Sequence, residues 1–539
     1  MAVPIKQEPR PASADLDNPL YYLENMDTVV GWVLGYHADL LSADEQARLA
    51  AFNELPTPAR ALLTRMVMRT GELFRVDKLQ YPEISGDEAG LAGDLAGAGW
   101  LDSWPVLTLP ELFRLFTLAE LRPVFADTLA NLGLPRALPK GQMFEHLAPA
   151  FDQPRPLQDW FNTPAPPVVR LTQMALFDRV RLMFFGNLRQ SWSDFVLVEL
   201  GHQRYETVPF TPDARAFQTR DEVDLYLAMD ACRQQLDDGA PPSEVWAQVP
   251  PPSDNPWLTS RRDRLLLELG RLAERSGDRE LALQAYGTSG HREATLKHLR
   301  LLERLKRFEE AWAIARDWQD QALSDAEAQG LARLLKRLSA KVGEPAPAPP
   351  ETPTIQTQTL VLPKPELGSV EYAVQQHLWQ DDAPVYYVEN TLITALFGLL
   401  FWDAIYQPVP GAFFHPFHVG PADLTREDFV ERRRPAFEAG FEALRAGEHP
   451  ELIRDRFDAK QGIANPFVIW PVIRPELLEI ALRCLPASHL EPLFRRLMFN
   501  IREHRSGFPD LIRFFPEQPE PAARYEMVEV KGPGDRLQD

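Results

Sequence analysis

The chain of 539 residues has little cysteine, and its two cysteines, Cys232 and Cys484, lie far apart. This excludes a disulfide framework and a cysteine-rich zinc finger, and it is typical of a reducing compartment. The N-terminus does not combine a basic head with an apolar run, so the sequence predicts no secretory signal. The longest apolar run, Leu392 to Trp402, is too short to span a bilayer. We therefore expect a cytoplasmic protein.

Positive charge is also scarce. The chain has 57 Lys and Arg residues against 77 Asp and Glu residues, which gives a formal net charge of −20. This balance argues against indiscriminate binding to polyanions. It does not exclude DNA as a ligand, because affinity depends on the local patch that meets the phosphates. A hydrophobic content of 45% is typical of a folded protein, and the length predicts roughly three or four domains.

Two short motifs near the C-terminus contain the residue types of a metal site. Asp510 follows Pro509 at the head of an apolar segment, and Glu529 and Lys531 lie in the alternating segment from Tyr525 to Lys531. These segments predict strand, loop and strand, and a hairpin would place the three side chains together. Carboxylates bind hard cations such as Mg²⁺ or Mn²⁺, which activate water, and a lysine beside them would hold that water. The bare pattern also fits a surface hairpin with a solvated ion pair.

A further acid lies just before the most apolar helical segment. The stretch from Thr391 to Asp403 is apolar nearly all round, which predicts a buried helix. Glu389 lies directly before it, and on its own this carboxylate is best interpreted as a helix-capping acid. Together with Asp510 and Glu529 it would extend the set of metal-binding acids.

Most of the remaining chain has helical periodicity. Apolar residues recur at helical spacing from Tyr21 onward, and Leu109 to Leu132 and Lys140 to Ala150 predict two helices joined by a Gly-Leu turn. This pair resembles a SAP-type helix-loop-helix, a small DNA-binding module, but an ordinary helical hairpin fits the same residues. Residues 277–286 are echoed 29 positions later by residues 306–315. Alanines at matched positions favour a tetratricopeptide-like helical array.

Basic residues cluster locally against the acidic total. Such clusters are solvated helix faces by default, and they become DNA contacts where they converge on a site. The candidates for DNA contact are Arg65, Arg69, Arg75, Lys78, Lys140, Arg502 and Arg505. Arg432, Arg433 and Arg434 form a further cluster. His415 and His418 have a proline between them and no third nearby ligand, which favours a structural loop over a metal site.

Three C-terminal stretches together match one family. They are Glu389 with Leu399-Leu400-Phe401-Trp402-Asp403, then Arg505 to Leu511, then Val528 to Leu537. These stretches closely resemble the Fanconi-associated nuclease family, whose catalytic part is a VRR-NUC domain of the PD-(D/E)xK superfamily. The order of the helical, SAP-like and repeat segments upstream is similar to that of the family.

The resemblance implies a role for each motif residue. Glu389, Asp510 and Glu529 would bind the metal together with the main-chain carbonyl of Val530, and Lys531 would position the attacking water. The implied reaction is Mg²⁺- or Mn²⁺-dependent phosphodiester hydrolysis. The implied substrate is branched DNA cut near 5′ flaps, with 5′-to-3′ exonuclease activity, in interstrand-crosslink repair. The alternatives are a four-way-junction resolvase and a non-catalytic helical adaptor.

Two departures from the family affect these expectations. The sequence contains no Cys/His cluster like the ubiquitin-binding zinc finger of eukaryotic members. It therefore predicts a bacterial-type protein, associated with the nucleoid when bound to DNA, without ubiquitin-directed recruitment. The chain stops at Asp539, where the family continues with another helix and strand, so we expect a nuclease domain that is truncated. The sequence sets no oligomeric state.

The predicted fold is mainly α with a C-terminal α/β domain. The first predicted domain is a helical N-terminal domain at 1–107, which is a DNA-binding candidate, and the SAP-like helix-loop-helix follows at 108–165. A helical region with tetratricopeptide-like repeats occupies 166–342, and a proline-rich linker occupies 343–359. The last predicted domain is a nuclease domain with a restriction-endonuclease-like core at 360–539.

Overall fold

The computed structural model describes residues 18–135, 137–161, 164–190, 192, 204–319, 321, 325–345, 357–363, 369–532 and 534–535. The chain forms two compact units, Met1–Gln203 and Arg204–Asp539. Most of the predicted linker 343–359 lies outside the described residues, as do the N-terminal tail and Arg536 with Leu537. Across the described part of the chain, no helix is both long and apolar enough to cross a membrane.

The first unit, as far as the structure describes it, is mainly helical and contains two small antiparallel sheets. Its helices are α1 (Tyr21–Tyr36), α2 (Ala43–Glu54), α3 (Thr57–Val67), α4 (Glu88–Gly97), α5 (Leu109–Leu115), α6 (Leu118–Val124), α7 (Ala126–Asn131), α8 (Lys140–Leu147), α9 (Leu157–Trp160) and α10 (Met174–Phe185). Its strands are β1 (Leu73–Arg75), β2 (Leu101–Asp102), β3 (Val106–Leu107), β4 (Arg155–Pro156) and β5 (Val168–Leu171). Strand β5 pairs with β1 and β2, and β3 pairs with β4.

The single helix predicted from Leu109 to Leu132 is wrong, because three short helices, α5 to α7, occupy this stretch. Helix α5 ends at Leu115, and the backbone of the C-cap residue Phe116 is extended. A capping box then starts α6. The Thr117 side chain accepts from the N–H of Glu120, and the Glu120 carboxylate accepts from the N–H of Thr117. The apolar side chains of the three helices still share one core with α8.

The described residues of the second unit form helices and one three-stranded sheet. Its helices are α11 (Arg220–Asp237), α12 (Pro242–Trp246), α13 (Pro256–Ser276), α14 (Arg279–Thr288), α15 (Arg292–Arg304), α16 (Phe308–Gln319), α17 (Asp325–Val342), α18 (Val370–Leu378), α19 (Leu392–Leu400), α20 (Trp402–Ile405), α21 (Arg434–Ala446), α22 (His449–Lys460), α23 (Pro475–Cys484), α24 (Ala487–Phe499) and α25 (Ile501–His504). Its strands are β6 (Val385–Tyr387), β7 (Leu511–Phe514) and β8 (Tyr525–Val528).

The predicted helical repeat is confirmed in helices α13 to α17. The two halves of the sequence repeat begin at equivalent turns, because Gly277 precedes α14 and Lys306 precedes α16 with positive φ values of 89° and 62°. The matched alanines Ala282 and Ala311 are both fully buried. Small side chains at these positions let neighbouring helices approach closely.

The C-terminal sheet has the strand order β6-β7-β8, and β7 pairs antiparallel with both neighbours. The hairpin predicted from the sequence is therefore confirmed. Side chains of β7 alternate between two cores. Ile512 and Phe514 pack in the large core that contains α19, whereas Leu511 packs with Val374 of α18 and with Val530.

Helix α19 is the centre of the large core, and every residue from Leu392 to Leu400 is buried. This confirms the prediction of a buried helix, although the helix breaks at Phe401 before α20 begins. Gly398 allows a close approach in this core. A Cβ at that position would lie 2.8 Å from Cβ of Phe467. The turn that carries Glu389 is thus attached to a helix that is buried along its whole length.

Candidate active site

Three strand ends lie side by side at one end of the C-terminal sheet. Tyr387, the last residue of β6, is opposite Leu511, the first residue of β7. Leu511 is in turn opposite Val528, the last residue of β8. Because the pairs are antiparallel, the end of β6, the start of β7 and the end of β8 coincide. The acids just beyond these strand ends are Glu389, Asp510 and Glu529.

Asp510 is tied to both neighbouring segments by hydrogen bonds. Its main-chain carbonyl accepts from the N–H of Val388 at 2.8 Å, and its Oδ2 accepts from the N–H of Val530 at 2.8 Å. The residue is buried, with 9% of its surface exposed. Both bonds hold this carboxylate between the residues that follow β6 and β8.

Burial raises the pKa of Asp510 above its ordinary value, and the N–H of Val530 opposes this effect. Nearby negative charges raise the pKa of Asp510 further, and they belong to Glu529, Glu389 and Glu371. A divalent cation would relieve this repulsion between acids, and carboxylate oxygens are the donors that Mg²⁺ and Mn²⁺ prefer. The chemistry of the donor set therefore fits a hard divalent cation.

The acids do not form a closed ligand set. Among the residues that the structure describes, no three His, Cys, Asp or Glu side chains are grouped closely enough to hold a metal ion. Glu529 instead accepts from Nζ of Lys531 at 2.5 Å, and both side chains are exposed. This hydrogen bond raises the pKa of Lys531, which therefore remains an ammonium group. An ammonium group donates hydrogen bonds, so it suits holding a water molecule rather than removing its proton.

Glu389 lies in the turn between β6 and α19, and its interpretation as a helix-capping acid is wrong. The N-cap of α19 is Thr391, and no side chain caps that end. The two carboxylate oxygens of Glu389 accept from the hydroxyl of Tyr387 and from Nδ2 of Asn390, the latter at 3.2 Å. The bond to Glu389 raises the pKa of Tyr387 to about 12, so the phenol keeps its proton.

Glu371, in the first turn of α18, is an acid near this site that no sequence motif indicated. It follows the N-cap residue Ser369, whose hydrogen bond lowers the pKa of Glu371. Its negative charge acts on Asp510, and the positive charge of Lys531 acts on it. The available signal was a serine N-cap with an acid in the first helical turn, shortly before the strand that leads to Glu389.

Two of the candidate DNA-contacting cations in the first unit, Arg75 and Lys140, bind groups within the protein, which gives each a structural role. Arg75 is buried and forms ion pairs of 2.6 Å with both Asp77 and Glu120. It is therefore a structural cation rather than an open phosphate contact. Lys140 donates from Nζ to the main-chain carbonyl of Phe116 at 2.7 Å, beyond the C-terminus of α5.

Arg65 is engaged in a similar way, whereas the last two candidates in this unit are more accessible. Arg65 is partly buried, pairs with Glu83 and lies 3.8 Å from the centre of the Tyr22 ring. Arg69 is exposed and donates to the Tyr81 hydroxyl at 3.2 Å. Lys78 is exposed at the end of a short 3₁₀ turn.

In the second unit, Arg502 and Arg505 are both exposed on the segment that leads to Asp510. The cluster Arg432 to Arg434 is not a basic surface. Arg433 is fully buried, and its two terminal nitrogens bond to Asp423 at 2.8 Å and 2.9 Å. Arg434 pairs with Glu431 on its own helix turn.

His415 and His418 have structural roles in a loop. Their rings stack with centroids 4.1 Å apart. Nδ1 of His415 accepts from the N–H of Phe417, and Nε2 of His418 accepts from the N–H of Phe414. Each ring nitrogen that accepts a main-chain N–H is unavailable to a cation.

Comparisons with known proteins identify the family. Residues 20–102, 106–160 and 444–539 match the models described as the FAN1 HTH domain, the Fanconi anemia-associated nuclease SAP domain and the VRR-NUC domain, respectively. The Fanconi-associated nuclease 1 homolog of Pseudomonas aeruginosa is 48% identical over 536 residues, which cover 99% of this chain and 94% of that protein. This chain belongs to the Fanconi-associated nuclease family. It is therefore a DNA nuclease, and the VRR-NUC class is in general metal-dependent.

More distant and structural relatives agree with this assignment. The Fanconi-associated nuclease 1 homolog of Arabidopsis thaliana is 25% identical over 593 residues, covering 96% of this chain and 64% of that protein. A crystal structure of paFAN1 bound to a 5′ flap DNA with a 2-nt flap and a gap superposes with a TM-score of 0.80 and 48% identity, covering 97% of this chain and 95% of that chain. The family, the mainly helical fold and the SAP-like module predicted from the sequence are confirmed.

Proposed function

We propose that this nuclease is structure-selective and cleaves branched DNA near 5′ flaps, with an additional 5′-to-3′ exonuclease activity, in the repair of interstrand crosslinks. The observation that carries the proposal is the similarity, over 97% of the chain, to a relative whose crystal structure contains a 5′ flap DNA. In a bacterial-type member this work takes place on the nucleoid, in the cytoplasm. We also propose the domain boundaries predicted from the sequence, with the nuclease domain at 360–539.

Glu389, Asp510 and Glu529 would hold a divalent cation, Mg²⁺ or Mn²⁺, together with the main-chain carbonyl of Val530. Support comes from the hard oxygen donors, from their common position at one end of the sheet, and from the charges of Glu389 and Glu529 that act on Asp510. When bound, such a cation would lower the pKa of a coordinated water and stabilise charge on the scissile phosphate.

Lys531 would position the attacking water. In the present arrangement its ammonium group is engaged by Glu529. Because both side chains are exposed, this ion pair opens at little cost. Rotation of Glu529 toward Asp510 would leave the Lys531 ammonium free to hold a water or a phosphate oxygen.

The proposed DNA contacts are ranked by exposure. Arg69, Lys78, Arg502 and Arg505 present exposed cations that would contact phosphates, which position DNA without reading its sequence. Arg65 and Lys140 are ranked second, because each already has a partner within the protein. Arg75 is excluded as a direct contact by its burial in two ion pairs.

The test compares three DNA substrates of matched sequence: a 5′ flap, a four-way junction and an unbranched duplex. Each is incubated with the wild-type chain and with Asp510→Asn, in Mg²⁺, in Mn²⁺ and in chelator. We expect cleavage of the flap near its junction, dependent on metal and strongly reduced in the variant. Preferred cleavage of the four-way junction, by a dimer, would instead support a resolvase. Equal cutting by both proteins would refute the proposed site.

A second substrate set tests the exonuclease and the repair role. Duplexes labelled at the 3′ end distinguish stepwise shortening from the 5′ end from single endonucleolytic cuts. Flap substrates with one interstrand crosslink report whether incisions occur on both sides of the crosslink. If the protein cleaves flaps without a crosslink but does not cleave beyond a crosslink, the proposed flap selectivity stands. The proposed role in crosslink repair is then refuted.

A further inference from the structure

Glu389 is an exposed carboxylate that both neighbouring side chains hold in one orientation. One of its oxygens accepts from the hydroxyl of Tyr387, and the other accepts from Nδ2 of Asn390 at 3.2 Å. An exposed glutamate without such donors would sample several rotamers. The two donors lie on opposite sides of Glu389 in the chain, one at the end of β6 and one in the turn before α19.

Asn390 also reaches the segment that carries the second acid. Its Oδ1 accepts from the main-chain N–H of Phe508 at 3.0 Å. Phe508 lies two residues before Asp510. The main-chain N–H of Val388 donates to the carbonyl of Asp510 at 2.8 Å. The turn that contains Glu389 is therefore fastened to the Asp510 segment on both sides, by Val388 and by the Asn390 amide.

The orientation of the Asn390 amide is fixed by its partners. A main-chain N–H is only a donor, so the atom that faces Phe508 must be the amide oxygen. The NH₂ group then faces the carboxylate of Glu389, which is only an acceptor when ionised. One amide thus bonds to both segments at once, and neither a reversed amide nor an apolar side chain would satisfy both partners.

The backbone of Asn390 supports this arrangement. Its φ is +53°, in the left-handed region, and among the described residues only Lys306 is a further non-glycine residue with positive φ. Asparagine tolerates this region better than most side chains. Glycine would tolerate it better still, but it lacks the amide. An unfavourable backbone conformation at a residue whose side chain links two acid-bearing segments indicates a role for that side chain.

We propose that Asn390 and Tyr387 are positioning residues for the metal-binding acids, with Tyr387 orienting the Glu389 carboxylate and Asn390 also fixing the Glu389 turn against the segment of Asp510. This inference rests on the proposed function, in which Glu389 and Asp510 are metal ligands. Groups that hold a ligand in place reduce the ordering cost of binding, and their loss typically lowers metal affinity by about 10- to 100-fold.

The test measures binding of Mn²⁺ alone to the full chain by isothermal titration calorimetry, without DNA. Asn390→Gly keeps the left-handed backbone and removes both side-chain bonds, and Tyr387→Phe removes only the bond to Glu389. We expect Mn²⁺ affinity to fall by about 10- to 100-fold in Asn390→Gly and by about 10-fold in Tyr387→Phe. Cleavage of a 5′ flap should recover at high Mn²⁺, with an unchanged KM for DNA. Lys306→Gly, which relaxes the other positive-φ residue, should bind Mn²⁺ as the wild type does.

The outcomes separate this inference from the proposed function. In one outcome, Asp510→Asn no longer binds Mn²⁺, while Asn390→Gly and Tyr387→Phe both bind it within about twofold of the wild type, a change of less than about 0.5 kcal/mol. This outcome refutes the positioning role and leaves the metal site standing. If Mn²⁺ binding is the same in wild type and Asp510→Asn, the proposed site fails and the inference fails with it. If Asn390→Gly does not fold, as judged by its thermal melting curve, Tyr387→Phe decides the result.

Discussion

The main-chain N–H of Val530 donates a hydrogen bond of 2.8 Å to Oδ2 of Asp510. The carboxylate at the start of β7 is thereby fixed to the segment that follows β8. One side chain closes the end of the hairpin, and it would also supply the central acid of the proposed metal site. Removing its charge and removing its hydrogen-bond acceptor are therefore different experiments.

Asp510→Asn removes the charge of this side chain and keeps an oxygen that accepts from Val530. We expect flap cleavage to fall by about 100- to 1,000-fold, because several kcal/mol of charge stabilisation depend on the cation that Asp510 would hold. Without divalent cations at pH 7, the melting temperature should be unchanged or higher. The pKa of Asp510 is raised in the folded state, so its ionised form opposes folding above that pKa.

The control for this variant is Glu526→Gln, an exposed acid on β8. It should change neither cleavage nor melting temperature. A large drop in the melting temperature of Asp510→Asn, measured in chelator, would show that the negative charge itself stabilises the hairpin. That result would contradict the repulsion between Asp510 and its acidic neighbours.

Lys531→Ala should retain DNA binding and lose cleavage by about 100-fold or more, because an attacking water that is misplaced by about 1 Å reacts about 100-fold more slowly. Electrophoretic mobility shifts in Ca²⁺ measure binding, and single-turnover cleavage in Mg²⁺ measures chemistry. Arg524→Ala, a partly buried cation at the other end of the same hairpin, is a matched control. A comparable loss of rate in both variants would indicate a general effect of positive charge.

The sequence was sufficient to predict the hairpin and its acids because these features are local. A short apolar run marks β7, residues of alternating character mark β8, and the prolines between them mark the loop. Glu529 and Lys531 follow the strand by one and three residues, so their contact is also a local property. The full burial of α19 follows from its composition, which is apolar on every face.

The features that the sequence did not predict depend on distant contacts. Glu371 becomes a neighbour of Asp510 only because α18 packs on the sheet, across a separation of more than a hundred residues. Arg75 resembles an exposed cation until Glu120 is brought beside it. The break between α5 and α6 was different, since the capping box at Thr117 and Glu120 was visible in the sequence but outweighed by the helical periodicity around it.

His418→Gln should weaken the acid sensitivity of the second unit. Burial lowers the pKa of His415 well below 6.5 and that of His418 to about 4. A histidine with a lowered pKa in the folded state contributes its stability above pH 6.5, and this is lost as the pH falls from 6.5 toward the folded pKa. The slope is at most about 1.4 kcal/mol per pH unit for each histidine. Glutamine retains an acceptor for the N–H of Phe414 and does not titrate.

The measurement is chemical denaturation between pH 7 and pH 4.5. The variant should lose less stability over this interval than the wild type. His377→Gln, at an exposed histidine of α18, should follow the wild-type curve. Identical curves for all three proteins would show that protonation of the His415 and His418 pair does not limit acid stability.

Asp423→Ala should destabilise the second unit more than any exposed charge change. Asp423 is fully buried and accepts from Arg433 at 2.8 Å and 2.9 Å and from Arg432 at 2.8 Å. Removing it leaves the fully buried Arg433 without a counter-ion, and breaking such a pair costs about 3–5 kcal/mol. Glu431→Ala, which removes the exposed partner of Arg434, should cost at most about 1 kcal/mol.

A double variant tests whether the cost comes from the uncompensated charge or from lost packing. In Asp423→Ala with Arg433→Met, the buried cation is gone and an apolar side chain of similar length replaces it. If the unpaired charge dominates, urea denaturation should show the double variant to be more stable than Asp423→Ala alone. If the double variant is less stable than either single variant, the packing of the Arg433 side chain accounts for the stability. That packing includes the guanidinium, which lies 4.3 Å from the centre of the Phe429 ring.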